Sequence, residues 1–116
     1  MDYNNDFRYD LQLGQMHERW LGDVLTDASI EVKRDYVAAR TGRVFVEFES
    51  RGRASGLATS QAEYWAFVLQ GHRVVILPTE TLKEICRDKF AAGKIVRGGD
   101  NNTSRGVLVE LRELLR

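Results

Sequence analysis

Two apolar runs, Tyr64–Leu69 and Arg73–Leu77, separated only by Gln70-Gly71-His72, constrain the fold more than any other feature of this chain. They are short, rich in Val, Phe, Trp and Ile, and bounded by a glycine-bearing turn, which is the signature of buried strands. Pro78 closes the second run because it has no N–H for a ladder. Thr79 is then a good cap for a helix over about 79–91, which carries Leu82, Ile85, Cys86 and Phe90 on one side. Gly93 should end that helix. Strands leading into an amphipathic helix predict an α/β fold.

The segment before these runs adds another strand. From Val44 to Glu49 the pattern alternates, with Val44, Val46 and Phe48 on one face and Phe45, Glu47 and Glu49 on the other. Thr41-Gly42 turns into it, and the polar loop Ser50–Gly56 follows. Thr59 or Ser60 is expected to cap a short helix through Glu63. Lys94–Arg97 reads as a short strand, Gly98–Gly106 as a loop, and Val107–Arg116 as a packed C-terminal element. With 116 residues, 43% of them apolar, and no repeat or linker, residues 1–116 are expected to form a single domain. No apolar run is long enough for a bilayer. The polar start, Met1 to Asp6, is unlike a signal peptide. The single cysteine, Cys86, suits a reducing cytosol, so a cytoplasmic location is expected.

The N-terminal third holds the candidate chemistry. Phe7, Tyr9, Leu11 and Leu13 alternate and suggest an extended start. A short helix over about 13–21 would put Gly14, Glu18 and Leu21 on one stripe. Asp23-Val24-Leu25 and Ser29–Lys33 then read as a hairpin around Thr26-Asp27-Ala28. In that hairpin Asp23 lies opposite Glu31, on the same face as Lys33. Two carboxylates so close repel unless a cation sits between them, and Mg²⁺ takes one or two carboxylates and keeps several waters. Glu18 supplies a third oxygen. The Lys33 ammonium then orients an attacking water or faces a phosphate oxygen. The bland alternative is a solvated strand face carrying a weak Glu31–Lys33 ion pair.

At these residues the chain resembles a known superfamily. Glu31-Val32-Lys33 reads as the E-x-K of the PD-(D/E)XK nucleases, with Asp23 as the preceding aspartate and Glu18 as the glutamate of the first helix. The stretches Ile30–Asp35, Thr41–Glu47, Ser50-Arg51-Gly52 and Ser55-Gly56 look like small phage and bacterial nucleases of that type. The likeness runs from about Leu13 to Leu77. It implies a restriction-endonuclease-like core: a central mixed β-sheet that starts with an antiparallel meander (about 22–26, 29–36, 43–49) and is flanked by helices. It further implies divalent-metal-dependent hydrolysis of DNA, with Glu18, Asp23 and Glu31 on Mg²⁺ (or Mn²⁺) and Lys33 placing the water. Asp27 replaces Asp23 as ligand if the turn lies elsewhere. The working place is then the cytoplasm, that of the host cell if the gene is a phage's. A homodimer is a hypothesis for so small a catalytic domain.

Charge is consistent with that reading without demanding it. The chain balances 17 basic against 17 acidic residues, but up to Glu31 there are seven acids against Arg8 and Arg19, leaving the remainder at +5. An acidic cluster beside a basic remainder suits a metal site next to a phosphate-binding surface. Arg51, Arg53 and Ser55 are the candidate DNA-backbone contacts. Other chemistries fit poorly. Two histidines and one cysteine do not make a closed zinc site, and neither a Gly-Lys-Ser/Thr phosphate loop nor a Gly-x-Gly-x-x-Gly occurs. The competing classes are a nucleic-acid-binding or structural domain without catalysis, and an RNA nuclease.

Overall fold

The computed structural model describes residues 3–116, with side chains from Arg8 onward; Met1 and Asp2 of the polar start lie outside the described residues. A 25-residue helix, α1 (Tyr3–Asp27), leads into β1 (Ile30–Arg34), one helical turn α2 (Ala38–Thr41), β2 (Arg43–Ser50) and the two-residue β3 (Arg53–Ala54). Then come β4 (Tyr64–Leu69), β5 (Arg73–Pro78), α3 (Thr79–Ala91), β6 (Val96–Gly98) and β7 (Ser104–Glu110). Short 3₁₀ turns occupy Gly56–Ala58, Asp100–Asn102 and Leu111–Leu115.

The fold is mixed α/β, with two sheets where one was expected. The first has the order β1-β4-β5, with β1 parallel to β4 and β4 antiparallel to β5. The second, β3-β2-β7-β6, is antiparallel throughout. One core joins them. Trp65, Phe67, Leu69 and Leu77 from the first sheet meet Val44, Val46, Val107 and Val109 from the second, with Leu82 and Ile85 of α3. The strand and helix assignments at 43–49, 64–69, 73–77 and 79–91 agree with these elements to within one residue. Gly71 and His72, at φ of 84° and 60°, make the tight β4–β5 turn.

The antiparallel meander is not formed. Residues 22–26 are helical, so β1 has no hairpin partner there, and its ladder runs from Ile30↔Tyr64 to Arg34↔Val68 instead. The helix continues because nothing between Leu13 and Asp27 breaks it. Trp20 packs edge-on to Tyr64 at 6.5 Å, and Val24, one turn on, is buried. The Thr26 hydroxyl bonds back to the Gly22 carbonyl at 2.8 Å, a bond compatible with helix. The extended start expected from Phe7 to Leu13 is likewise helix.

Two further expectations fail. No helix forms over Thr59–Glu63; the Ser60 hydroxyl accepts the Trp65 indole N–H at 3.0 Å and the Ala62 N–H at 3.3 Å, and the Glu63 N–H goes to the Ser29 hydroxyl at 2.9 Å. The Gly98–Gly106 loop is shorter than expected, since β7 already begins at Ser104. Position 106 of that strand takes glycine because a Cβ there would collide with the Val46 carbonyl oxygen and stand 2.7 Å from the Phe45 ring.

Asp35 ties the first sheet to the second. One carboxylate oxygen accepts the Ala38 N–H at 3.1 Å, starting α2, and the other accepts the Phe45 N–H of β2 at 3.1 Å. The α2 turn ends on Gly42 in the left-handed region, at φ 73°.

Candidate functional site

Of the four residues expected to converge, the fold brings two together. Glu31 and Lys33 share a face of β1, and Lys33 Nζ lies 3.4 Å from Glu31 Oε1. Their register partners Trp65 and Phe67 face the core. The pair therefore stands at the rim of the core, about half exposed, with Lys33 Nζ 5.6 Å from the centre of the Trp65 ring. Because β1 is an edge strand, the pair is open to a large ligand.

Asp23 belongs to the other side of that sheet. It lies on α1 beside a shallow cleft of about 280 Å³, formed with Trp20, Val24, Asp27, Ala28, Glu63 and Tyr64. Tyr64 precedes Trp65 in β4, so it points to the opposite face of the strand. The sequence expectation that Asp23 opposes Glu31 is thus corrected: the sheet separates them. Asp27, the alternative ligand, lines the same far cleft. Glu18 is exposed on α1, roughly 160° around the helix from Trp20, the residue that touches the sheet.

Magnesium can be tested against these donors. Among the described residues no three His, Cys, Asp or Glu side chains stand together as a metal group, so the expected set of three carboxylates is not assembled. What remains is Glu31, with Lys33 beside it. Mg²⁺ commonly binds through one or two carboxylates together with substrate phosphates, and Glu31 fits that mode only. Glu47 is already engaged, its two oxygens accepting the Ser55 hydroxyl at 2.8 Å and the Ser104 hydroxyl at 2.5 Å.

The expected DNA contacts also divide. Arg51 lines an open cleft of about 560 Å³ with Arg97, Arg105, Glu49, Gly52, Asn102 and Thr103. The Arg51 N–H donates to the Thr103 carbonyl at 2.9 Å, joining the two loops that make the cleft. Arg51, Asn101 and Asn102 take positive φ values of 52°, 57° and 55°, which turn both loops sharply. Arg53 is exposed on β3 outside this cleft, and the Ser55 hydroxyl is committed to Glu47. Arg97 and Arg105 were not foreseen from the sequence. Three guanidiniums gather around one concavity, their positive charge partly offset by Glu49, which pairs with Arg105 at 3.0 Å.

No protein-family model, curated protein or solved structure matches this chain. Among the described residues no helix is long and apolar enough to cross a membrane.

Proposed function

We propose that this chain is a divalent-metal-dependent DNA nuclease of the PD-(D/E)XK kind, built as one domain in which an open edge strand rather than a meander carries the E-x-K pair. The observation that carries the reading is the Glu31–Lys33 pair: an acid and an ammonium 3.4 Å apart on one face of an open edge strand, in the E-x-K sequence. Lys33 holds a proton-rich group where a phosphate oxygen or an attacking water would sit. Glu31 offers the carboxylate for Mg²⁺ or Mn²⁺, with DNA phosphates completing the coordination. A bound metal of this class supplies Lewis acidity and a more acidic water. The arginine cleft of Arg51, Arg97 and Arg105 holds the sugar-phosphate backbone, a task that needs charge rather than base readout. Glu18 and Asp23 are left out of the metal site in this reading.

The second reading, a nucleic-acid-binding domain without catalysis, is favoured by one observation: the expected carboxylates fail to converge. The two are separated by incubating linear, nicked, branched and single-stranded DNA, and RNA, with Mg²⁺ or Mn²⁺. The nuclease reading expects cleavage that Lys33→Ala and Glu31→Ala each abolish. Cleavage unchanged by both substitutions refutes the assignment, and binding of every substrate without cleavage supports the second reading. Cleavage of RNA alone would change the substrate class.

A further inference from the structure

Phe48 interrupts the ladder of the second sheet. Between β2 and β7, Glu47 pairs with Gly106 and Glu49 with Arg105, which leaves Phe48 in a bulge. Bulges of this kind re-aim a side chain. Here the centre of the ring lies 5.6 Å from the Arg105 guanidinium, and the ring meets Phe90 of α3 edge-on at 5.6 Å and 79°. Arg105 is one of the three arginines of the open cleft, so the aromatic pair borders that cleft directly.

Past the two rings the surface opens again. Phe48, Leu57, Ala58 and Phe90 line a pocket of about 270 Å³, with Lys83 and Arg87 on its wall. Among the described residues no acidic side chain lines it. Lys83, Arg87 and Phe90 follow one another at spacings of four and three along α3, so they share one flank of the helix. Lys83 has Glu80 at 3.9 Å, and Arg87 is exposed. Phe90 is 54% exposed. A lone exposed phenyl needs no explanation. This one has a second ring edge-on, a pocket beside it, and cations on both sides.

That order of groups selects among ligands. A volume of 270 Å³ is just under the range of about 300–1,000 Å³ that takes a drug-sized molecule, so it suits a single ring system. The flanking cations match negative charge on either side of that ring. An apolar peptide side chain brings no such charge, whereas a nucleotide strand brings one at every step. Basic grooves interleaved with aromatic rings hold unpaired strands, with bases stacked on the rings and phosphates on the cations. A base inside a duplex has its faces covered and reaches such a pocket only when it leaves the stack.

We infer that the Phe48–Phe90 pocket receives the base of an unpaired nucleotide whose strand continues into the arginine cleft. The substrate class is then DNA with a single-stranded segment, as in a gap, a flap or a junction. The inference rests on the nucleic-acid substrate of the function proposed above, but Glu31, Lys33 and metal take no part in it.

Fluorescence anisotropy without divalent metal tests it, with circular dichroism confirming that each variant is folded. The probes are a labelled single strand, the same strand in a blunt duplex, and a single strand with abasic sites in place of its bases. Phe90→Ala should weaken binding of the single strand about five- to tenfold, the low end for losing one stacked base, and change duplex binding by no more than about twofold. Phe90→Trp should bind as wild type does. Phe90→Leu keeps an apolar side chain without the ring and should behave like Phe90→Ala. On the abasic strand, wild type and Phe90→Ala should bind alike. Equal losses on single strand and duplex, wild-type binding by Phe90→Leu, or a loss that persists on the abasic strand overturns the inference. So does a single strand that fails to bind, and duplex cleavage dependent on Glu31 and Lys33 would then leave the nuclease reading standing. Base-dependent binding without any cleavage would sink that reading and leave this one.

Discussion

Replacing both Arg51 and Arg97 by alanine tests the arginine cleft through its salt dependence. Each phosphate contact contributes about −0.9 to the slope of log affinity against log salt on duplex DNA, so three contacts give roughly −2.7. Raising salt from about 50 to about 200 mM should then weaken wild-type binding roughly 40-fold, and the double variant only about 3- to 4-fold. Arg105 is the exception among the three. Glu49 already pairs with it at 3.0 Å, so Arg105→Ala should change the slope by less than either other substitution. Fluorescence anisotropy of a labelled duplex, titrated without divalent metal at several salt concentrations, measures the slopes. Arg53→Ala is the control, because Arg53 is exposed outside the cleft. A double variant with the wild-type slope, or an Arg53→Ala slope as shallow as the double variant's, would refute the assignment of this surface.

Other consequences concern stability. Leu82, fully buried between α3 and the two sheets, should cost about 3 kcal/mol on replacement by alanine, seen as a melting midpoint lower by roughly 10 °C. Gly106→Ala should destabilise the second sheet, because the new methyl would press on the Phe45 ring and the Val46 carbonyl; an unchanged midpoint would show that β2 yields freely. Burial pushes the Cys86 thiol up from its ordinary value of 9.0 to about 12, with Glu113 adding to the rise and Lys89 opposing it. The unfolded thiol therefore loses its proton first, so stability should fall as pH rises from about 9 toward 12, and denaturant titrations of Cys86→Ala should show less of that fall. Glu113 shifts the other way. Its hydrogen bond from Lys89, at 2.7 Å, holds its carboxyl below the usual range, so the stability it contributes is present above the unfolded value and lost as pH falls through the folded one. Glu113→Gln should flatten that acid limb.

How much of this was legible depended on range. The strand at Val44–Glu49 and the helix after Pro78 were readable because their periodicities are local, and β4 and β5 because their apolar runs are interrupted only by a turn. The hairpin at Asp23–Lys33 was not, since a triplet such as Asp23-Val24-Leu25 is too short to separate strand from helix. Its true state is fixed by Trp20 and Val24 packing near Tyr64, some forty residues away in sequence. The parallel β1–β4 pairing is non-local in the same way, and it is this pairing that puts Glu31 and Asp23 on different sides. Arg97 and Arg105 escaped notice because long-range pairing brings them to Arg51: β7 ladders with β2 and β6, and the Arg51–Thr103 backbone bond closes the loops. The Glu31–Lys33 adjacency, by contrast, follows from strand alternation alone and was visible from the start.

The most direct test of the account is a crystal of the chain with a short DNA duplex and Mn²⁺, examined for anomalous scattering. The account predicts a metal peak on the Glu31 carboxylate and a DNA phosphate, with Lys33 beside it. A peak in the Asp23–Asp27–Glu63 cleft instead, with Glu31 unliganded, would contradict it.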